Sequence, residues 1–219
     1  MRKRLLVPVL TLAFLLMVGS CTLAVNTVSM NFLLNGESEI DNTDYDLSQL
    51  TFGLTVPLDK KISIGAEIAT GEIDNGGEAD TSSYRIKGAY KLFADRNASL
   101  DLTGGIYHRG IEIPGYADYE ISSLTIGVDG RLIIDSKAWF DVGLALGLLP
   151  DEELDEYGYY GRYYKGDPDS LVLFNLKFNY LINKQLGLTV GYSSETYDSE
   201  LLPRDNSHTG FNVGAFLRF

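Results

Sequence analysis

In 219 residues the chain has one cysteine, one tryptophan, two histidines and six prolines. The lone cysteine, Cys21, excludes any disulfide within the chain. With only His108 and His208, the usual general base is scarce. Ser207 adjoins His208, but neighbours on a strand face opposite ways and form no nucleophile–base pair. No G-x-S-x-G, H-E-x-x-H or phosphate-loop pattern occurs. The expectation is a protein that is not an enzyme and carries no cofactor and no resident metal. Basic residues are also few: 18 Lys and Arg against 30 Asp and Glu, a net charge of −12. Such a surface repels polyanions, so nucleic acid is not an expected partner. Beyond the first two dozen residues no run approaches the ~20 apolar residues of a membrane-spanning helix.

The one apolar run stands at the front. Arg2, Lys3 and Arg4 precede Leu5 to Val18, which is apolar apart from Thr11 and contains Pro8. The run is short for a span and small residues come after it, so residues 1–24 read as a secretory signal and 25–219 as the mature domain. Two processing sites are open. Thr22, Leu23 and Ala24 place small residues at ordinary cleavage positions, while Val18, Gly19, Ser20 and Cys21 look like a lipobox, which makes Cys21 a lipidation candidate. Both routes export the chain. Losing the three basic residues takes the net charge from −12 to −15.

Period-two segments then recur with turn residues between them, as in an all-β chain. Ten strands can be drawn: Asn26–Asn35, Leu47–Pro57, Lys61–Thr70, Thr81–Leu92, Ala98–Tyr107, Tyr119–Ile134, Ala138–Leu148, Ser170–Leu181, Leu186–Ser193 and Thr209–Phe219. Each carries one apolar row, such as Ile62, Ile64, Ala66 and Ile68. The tight turns Leu58–Lys60, Phe93–Asn97, Asp135–Lys137 and Ile182–Gln185 alternate with the long connections Gly36–Asp46, Gly71–Asp80, His108–Asp118, Leu149–Asp169 and Ser194–Ser207. An even strand count, with short turns at one end and long ones at the other, fits a closed antiparallel up-and-down transmembrane β-barrel. Eight strands is the alternative if the first or ninth is miscounted.

Alternation alone does not say which face is out. A soluble, lipocalin-like ligand binder of the periplasm would turn the apolar row inward. Two features favour a membrane. Aromatic residues sit near the strand ends of the apolar face: Tyr90, Phe140, Tyr180 and Phe219 by the short turns, and Tyr84, Phe174, Tyr192 and Phe211 toward the long connections. The opposite face carries charge at mid-strand, in Glu67, Arg85, Lys87, Lys91, Asp101, Asp129, Arg131, Asp141 and Lys177. Pairing each hairpin symmetrically sets Glu67 opposite Arg85, Lys91 opposite Asp101 and Arg131 opposite Asp141. Buried charges must pair or stay hydrated, so an ionic network that plugs much of the lumen is expected.

The negative charge gathers in the long connections. The first holds Glu37, Glu39, Asp41, Asp44 and Asp46; the fourth holds Asp151, Glu152, Glu153, Asp155, Glu156, Asp167 and Asp169. Carboxylates are hard oxygen ligands, and these loops could hold divalent cations, although no EF-hand spacing occurs. The fourth connection also holds Tyr157, Tyr159, Tyr160, Tyr163 and Tyr164, residues suited to an external recognition surface.

The chain ends T-G-F-N-V-G-A-F-L-R-F, with Phe211, Val213, Ala215, Leu217 and Phe219 on one face. This ending resembles the terminal strand of bacterial outer-membrane β-barrels of the OmpA/OmpX-like and porin-like kind. In that family a polar-x-Gly-x-x-apolar-x-aromatic ending is the assembly signal, matched here by Asn212, Gly214, Leu217 and Phe219. The resemblance implies a monomer in the outer membrane of a Gram-negative cell envelope, held by lipid and inserted by the barrel-assembly machinery. Three roles stay open. They are a structural or surface-recognition barrel with an occluded lumen, a narrow porin-like channel for small solutes, and the periplasmic ligand binder.

Overall fold

A computed structural model describes residues 26–40, 43–74, 78–157, 161–168, 170–201 and 206–219. The signal segment with Cys21, and also Asp41, Tyr159, Tyr160 and Asp169, lie outside the described residues. The strands are β1 (Thr27–Ile40), β2 (Thr43–Pro57), β3 (Ile62–Asp74), β4 (Glu78–Ala94), β5 (Ala98–Ile113), β6 (Ala117–Ile133), β7 (Ala138–Glu156), β8 (Arg162–Gly166), β9 (Ser170–Leu181), β10 (Leu186–Asp198) and β11 (Asn206–Arg218). Each barrel strand pairs antiparallel with its neighbours in chain order, β7 pairs with β9, and β1 with β11 seals the ring. Short β8 pairs only with the outer end of β7, so the closed barrel has ten strands.

The register fixes the tilt. A walk across partners from Ala138 passes Tyr180, Leu188, Ala215, Met30, Phe52, Ile68, Tyr84, His108 and Ser122 and returns to β7 at Asp151. The return lies 13 residues up the strand, which is twelve plus one residue inserted at a bulge. With strands ~4.8 Å apart and ~3.3 Å per residue, that stagger tilts them by about 40° and gives a backbone cylinder about 20 Å across. Inward side chains nearly fill such a width.

All four short turns share one device. Asp59, Asp95, Asp135 and Asn183 each accept two backbone N–H groups, from Lys61 and Ile62, Asn97 and Ala98, Lys137 and Ala138, and Gln185 and Leu186, at 2.6–2.8 Å. An Asx side chain that mimics a turn carbonyl explains why Asp or Asn recurs at the head of each turn. Both ends of the described barrel lie at this rim, where the Phe219 N–H donates to the Asn26 carbonyl at 3.0 Å.

The aliphatic rows face outward. Met30, Phe32, Phe52, Ile86, Leu124, Leu146, Val190 and Phe211 are all exposed, which rules out the inward-facing arrangement of a lipocalin-like binder. Along β9 and one residue past it the row runs from Val172 to Ile182, about 25 Å along the barrel axis at this tilt and the height of an outer-membrane hydrocarbon belt. Above the belt every outward row turns polar: Leu34 gives way to Glu37, Ile68 to Thr70 and Glu72, Tyr84 to Ser82 and Asp80, Leu124 to Ser122 and Glu120, and Leu148 to Asp151.

Here the structure corrects the expected element boundaries. The long connections are mostly strand: β1 and β2 run on to Ile40 and from Thr43, β5 to Ile113, β7 to Glu156, and β10 to Asp198. The barrel stands well clear of the belt, and polarity inverts along it. Inside the outer part lies an apolar core of Leu47, Ile73, Ala79, Ile111, Tyr119, Ile121, Leu171 and Tyr197, reaching down to Leu33, Tyr107, Ala145 and Leu173. Two bulges at the belt's upper edge reset the facing of the residues beyond them. One lies between Leu34 and Glu37, where Asn35 takes a φ of 47°, and the other lies beyond Leu148, where Leu149 takes a φ of 52°. Asn tolerates the left-handed region better than Leu does. Each inserted residue flips parity, so Glu37 and Asp151 point out while Ser38 and Glu152 are buried.

Candidate functional site

The lumen has two levels. In the lower level, toward the short turns, the expected registers hold: Glu67 faces Arg85, Lys91 faces Asp101, and Arg131 faces Asp141. Side chains then choose partners by reach. Arg131 binds Asp141 through Nε at 2.6 Å and through a terminal nitrogen at 3.2 Å. Asp141 also accepts from Trp139 Nε1 at 3.0 Å and Asn179 Nδ2 at 2.9 Å. The guanidinium groups of Arg131 and Arg218 lie 5.3 and 5.1 Å from the Trp139 ring, which meets Phe216 edge-on. Phe216 in turn covers Gly187, where any Cβ would fall 2.2 Å from the ring. Lys87 reaches past β5 to Asp129 at 2.6 Å, and Lys177 spans the barrel from β9 to Glu67 at 3.8 Å. These side chains keep a fifth to two-fifths of their surface accessible (21 and 27% for Lys87 and Asp129, 41 and 28% for Arg131 and Asp141). This level is hydrated.

The upper level is more enclosed. Arg109 on β5 meets Glu195 on β10 at 2.8 Å, both at least nine-tenths buried. Arg109 donates from Nε to the Tyr107 hydroxyl at 3.1 Å and from a terminal nitrogen to Thr81 Oγ1 at 3.4 Å. The Tyr197 hydroxyl and His208 Nε2 are 3.2 Å apart. Higher still, Glu152 has no exposed surface. Its carboxylate accepts from Tyr119 Oη at 2.8 Å, Ser199 Oγ at 2.6 Å, and the N–H groups of Glu200 at 2.6 Å and Leu201 at 2.9 Å. Burial, then Tyr197 and the bond to Glu152, push the Tyr119 hydroxyl far above the usual phenol range. The carboxylate pins the segment after β10 over the apolar core.

The sequence pattern singled out neither Arg109 nor Glu195, and it placed Glu152 among the acids of the fourth long connection. Arg109 and Glu195 share the parity of the lumen row but lie beyond the ends drawn for their strands. Glu152 is buried only because of the Leu149 bulge, which has no strong sequence mark.

Outside, the acidic residues form a collar above the belt. Across successive strands Glu72 faces Asp80, Asp80 faces Glu112, Glu112 faces Asp118, and Asp118 faces Asp155. Among the described residues no group of three or more His, Cys, Asp or Glu side chains is gathered as a metal site. Of the candidate recognition tyrosines, Tyr157, Tyr163 and Tyr164 are exposed at the barrel's tip. The Tyr157 hydroxyl donates to Asp118, which pushes it up to about 12. Lys165 on β8 bonds Glu153 on β7, holding that carboxyl below its usual range. His108 is on the outer wall beside Tyr84, with Nδ1 2.9 Å from Ser122 Oγ.

The terminal strand joins the two faces. Asn212 points inward and donates to Ser193 Oγ at 2.9 Å, and Gly214 leaves room for Asn31, whose Oδ1 would lie 2.3 Å from an added Cβ. Leu217 and Phe219 point to the lower belt edge.

No protein-family model matches the chain, and no curated protein is similar to it in sequence. Its fold is nonetheless that of outer-membrane β-barrels. The outer membrane protease OmpT from Escherichia coli superposes with a TM-score of 0.68 at 11% identity, over 90% of this chain and 97% of that one. The translocator domain of the autotransporter NalP from Neisseria meningitidis gives a TM-score of 0.51 at 14% identity, over 95% and 97%.

Proposed function

We propose that this protein is an exported bacterial outer-membrane barrel with a structural or surface-recognition role and no through-flow. One observation carries the reading. Across the belt the strands are oily outside and polar or charged inside, and above it they are polar or charged outside and largely apolar inside. The first half suits lipid. The second half closes the outer mouth with a packed core that a hydrated ion would have to breach, against the cost of desolvation. Cross-lumen ion pairs narrow what lies below. The exposed Tyr157, Tyr163 and Tyr164 on the β7–β8 hairpin then form the surface offered to an outside partner. Residues 1–24 act as the export signal, and intact mass of the mature chain distinguishes cleavage after Ala24 from a lipid on Cys21.

Planar-bilayer recording tests the closed lumen. The wild type gives no resolvable conductance steps, whereas Ile121→Ala with Tyr119→Ala, which hollows the cap, gives them. Steps in the wild type would favour a narrow channel, a reading supported by the accessible lower charges, and would overturn the closed one. The proposal includes no catalytic step. OmpT is a protease, but the likeness extends to fold alone, and here His208 is buried beneath Tyr197 while His108 looks outward. Activity against peptides or lipid that is lost on replacing either histidine would refute that part.

A further inference from the structure

Between the two levels of the lumen lies a cavity of about 140 Å³. It has a polar side, with Asn31, Arg85, Lys177, Glu195 and His208, and an apolar side, with Leu33, Leu47, Ala69 and Leu173. We propose that it binds a short aliphatic carboxylate, of about two to four carbons, with its head on Arg85 and its tail on the leucine side.

Unsatisfied chemistry is the first argument. Arg85 is nine-tenths buried, and its Nε makes no hydrogen bond to the described residues. The carboxylate opposite it in register, Glu67, is drawn upon by Lys177 across the barrel. His208, which lines the same cavity, is equally buried, and its Nδ1 is likewise without a hydrogen-bond partner among the described residues, whereas Asn31 Oδ1 and Glu195 Oε1, on two further lining residues, are acceptors that a carboxylate leaves as they are. Orphaned buried polar atoms are rare because each costs the desolvation of the group, so two orphaned nitrogens on residues lining one cavity mark a place where an acceptor binds. Charge is the second argument. The lining carries Arg85, Arg109 and Lys177 against Glu67 and Glu195, three cations to two anions, so one negative charge completes it. Shape is the third. An apolar cavity of ~150 Å³ holds a six-carbon ring, so this one accommodates about six heavy atoms. A guanidinium edge fits a planar carboxylate, and the leucine side fits a short alkyl chain rather than a phosphate. Access is from the periplasmic mouth through the hydrated lower level, because the apolar core closes the other side. Only the lumen geometry is needed, so binding can stand or fall separately from the conductance result.

The full mature chain, folded in detergent micelles, is titrated with acetate, propionate, butyrate and inorganic phosphate at constant ionic strength set by a bulky sulfonate buffer. Thermal unfolding and calorimetric heat are both read. The expected result is saturable stabilisation by the carboxylates, tightening from acetate to butyrate, with phosphate weaker. Arg85→Met weakens binding at least tenfold, Ala69→Leu, which fills the apolar side, removes the chain-length trend, and Arg131→Met, at the lower mouth, leaves both intact. Equal responses in all variants, no saturable response, or phosphate binding more tightly than butyrate would each overturn the proposal. If Arg85→Met fails to fold, Ala69→Leu decides alone.

Discussion

Replacing Glu152 by Ala removes the acceptor that ties residues 199–201 to the apolar core. The carboxylate has no exposed surface and takes four hydrogen bonds. A bond to a charged acceptor is worth ~1.5–3 kcal/mol, but the four are not additive in effect. The Glu200 and Leu201 amides, and with them Ser199, return to water once the segment lifts. The Tyr119 hydroxyl, walled in by Tyr197, does not. The net local cost is therefore about 2–3 kcal/mol, one orphaned buried donor plus part of the lost charge-assisted bonding. At ~1.4 kcal/mol per tenfold, the Glu200 and Leu201 amides should exchange hydrogen roughly 30- to 150-fold faster. The belt shares none of these bonds, so the heat resistance of the folded band in detergent should hardly move. Hydrogen exchange resolved to peptides covering 198–206 reads the first effect, and gel mobility without boiling reads the second. Exchange within threefold of wild type would mean that the segment is held by packing and that the carboxylate is incidental.

The same geometry sets three further outcomes. Glu195→Gln strands Arg109 in a buried site and should cost about 3–5 kcal/mol in detergent unfolding, while Arg109→Met with Glu195→Leu lies much nearer wild type; equal loss in both would deny that an unpaired charge is the cause. Arg131→Leu leaves Asp141 with Trp139 and Asn179 in a hydrated lumen and should cost only about 1 kcal/mol; unchanged heat resistance would show that the pair contributes nothing. Tyr157, raised by its bond to Asp118, should titrate near 12 in ultraviolet absorbance and return toward 10 in Asp118→Asn. Because the folded value is the higher one, the bond's contribution is complete below pH ~10 and disappears as pH rises toward 12; a normal titration in the wild type would dissolve the contact.

The lower barrel was legible because its signals are local. Alternation identified the outward row, aromatic residues marked its ends, and symmetric counting about each connection gave Glu67 with Arg85 and Arg131 with Asp141 in the observed register. The upper barrel was not legible, because there acidic residues alternate with Ile, Leu and Tyr and the pattern resembles a solvated loop or a recognition surface. Leu47, Ile73, Ile111 and Tyr197 are instead the core of a soluble-style barrel top.

The alternating rows, the short-turn end and a strand count of ten, with eight left open, are properties of period and spacing, and the amino-acid order alone supplied them. Whom a charge meets across the axis is a property of closure. Lys177 finds Glu67 and Arg109 finds Glu195 because a staggered ring brings distant strands face to face, and no hairpin count can supply that. The same holds for Glu152, whose burial hangs on one inserted residue at Leu149. Period-two parity is a local rule that a single bulge reverses, and only the packed barrel decides where the reversal falls.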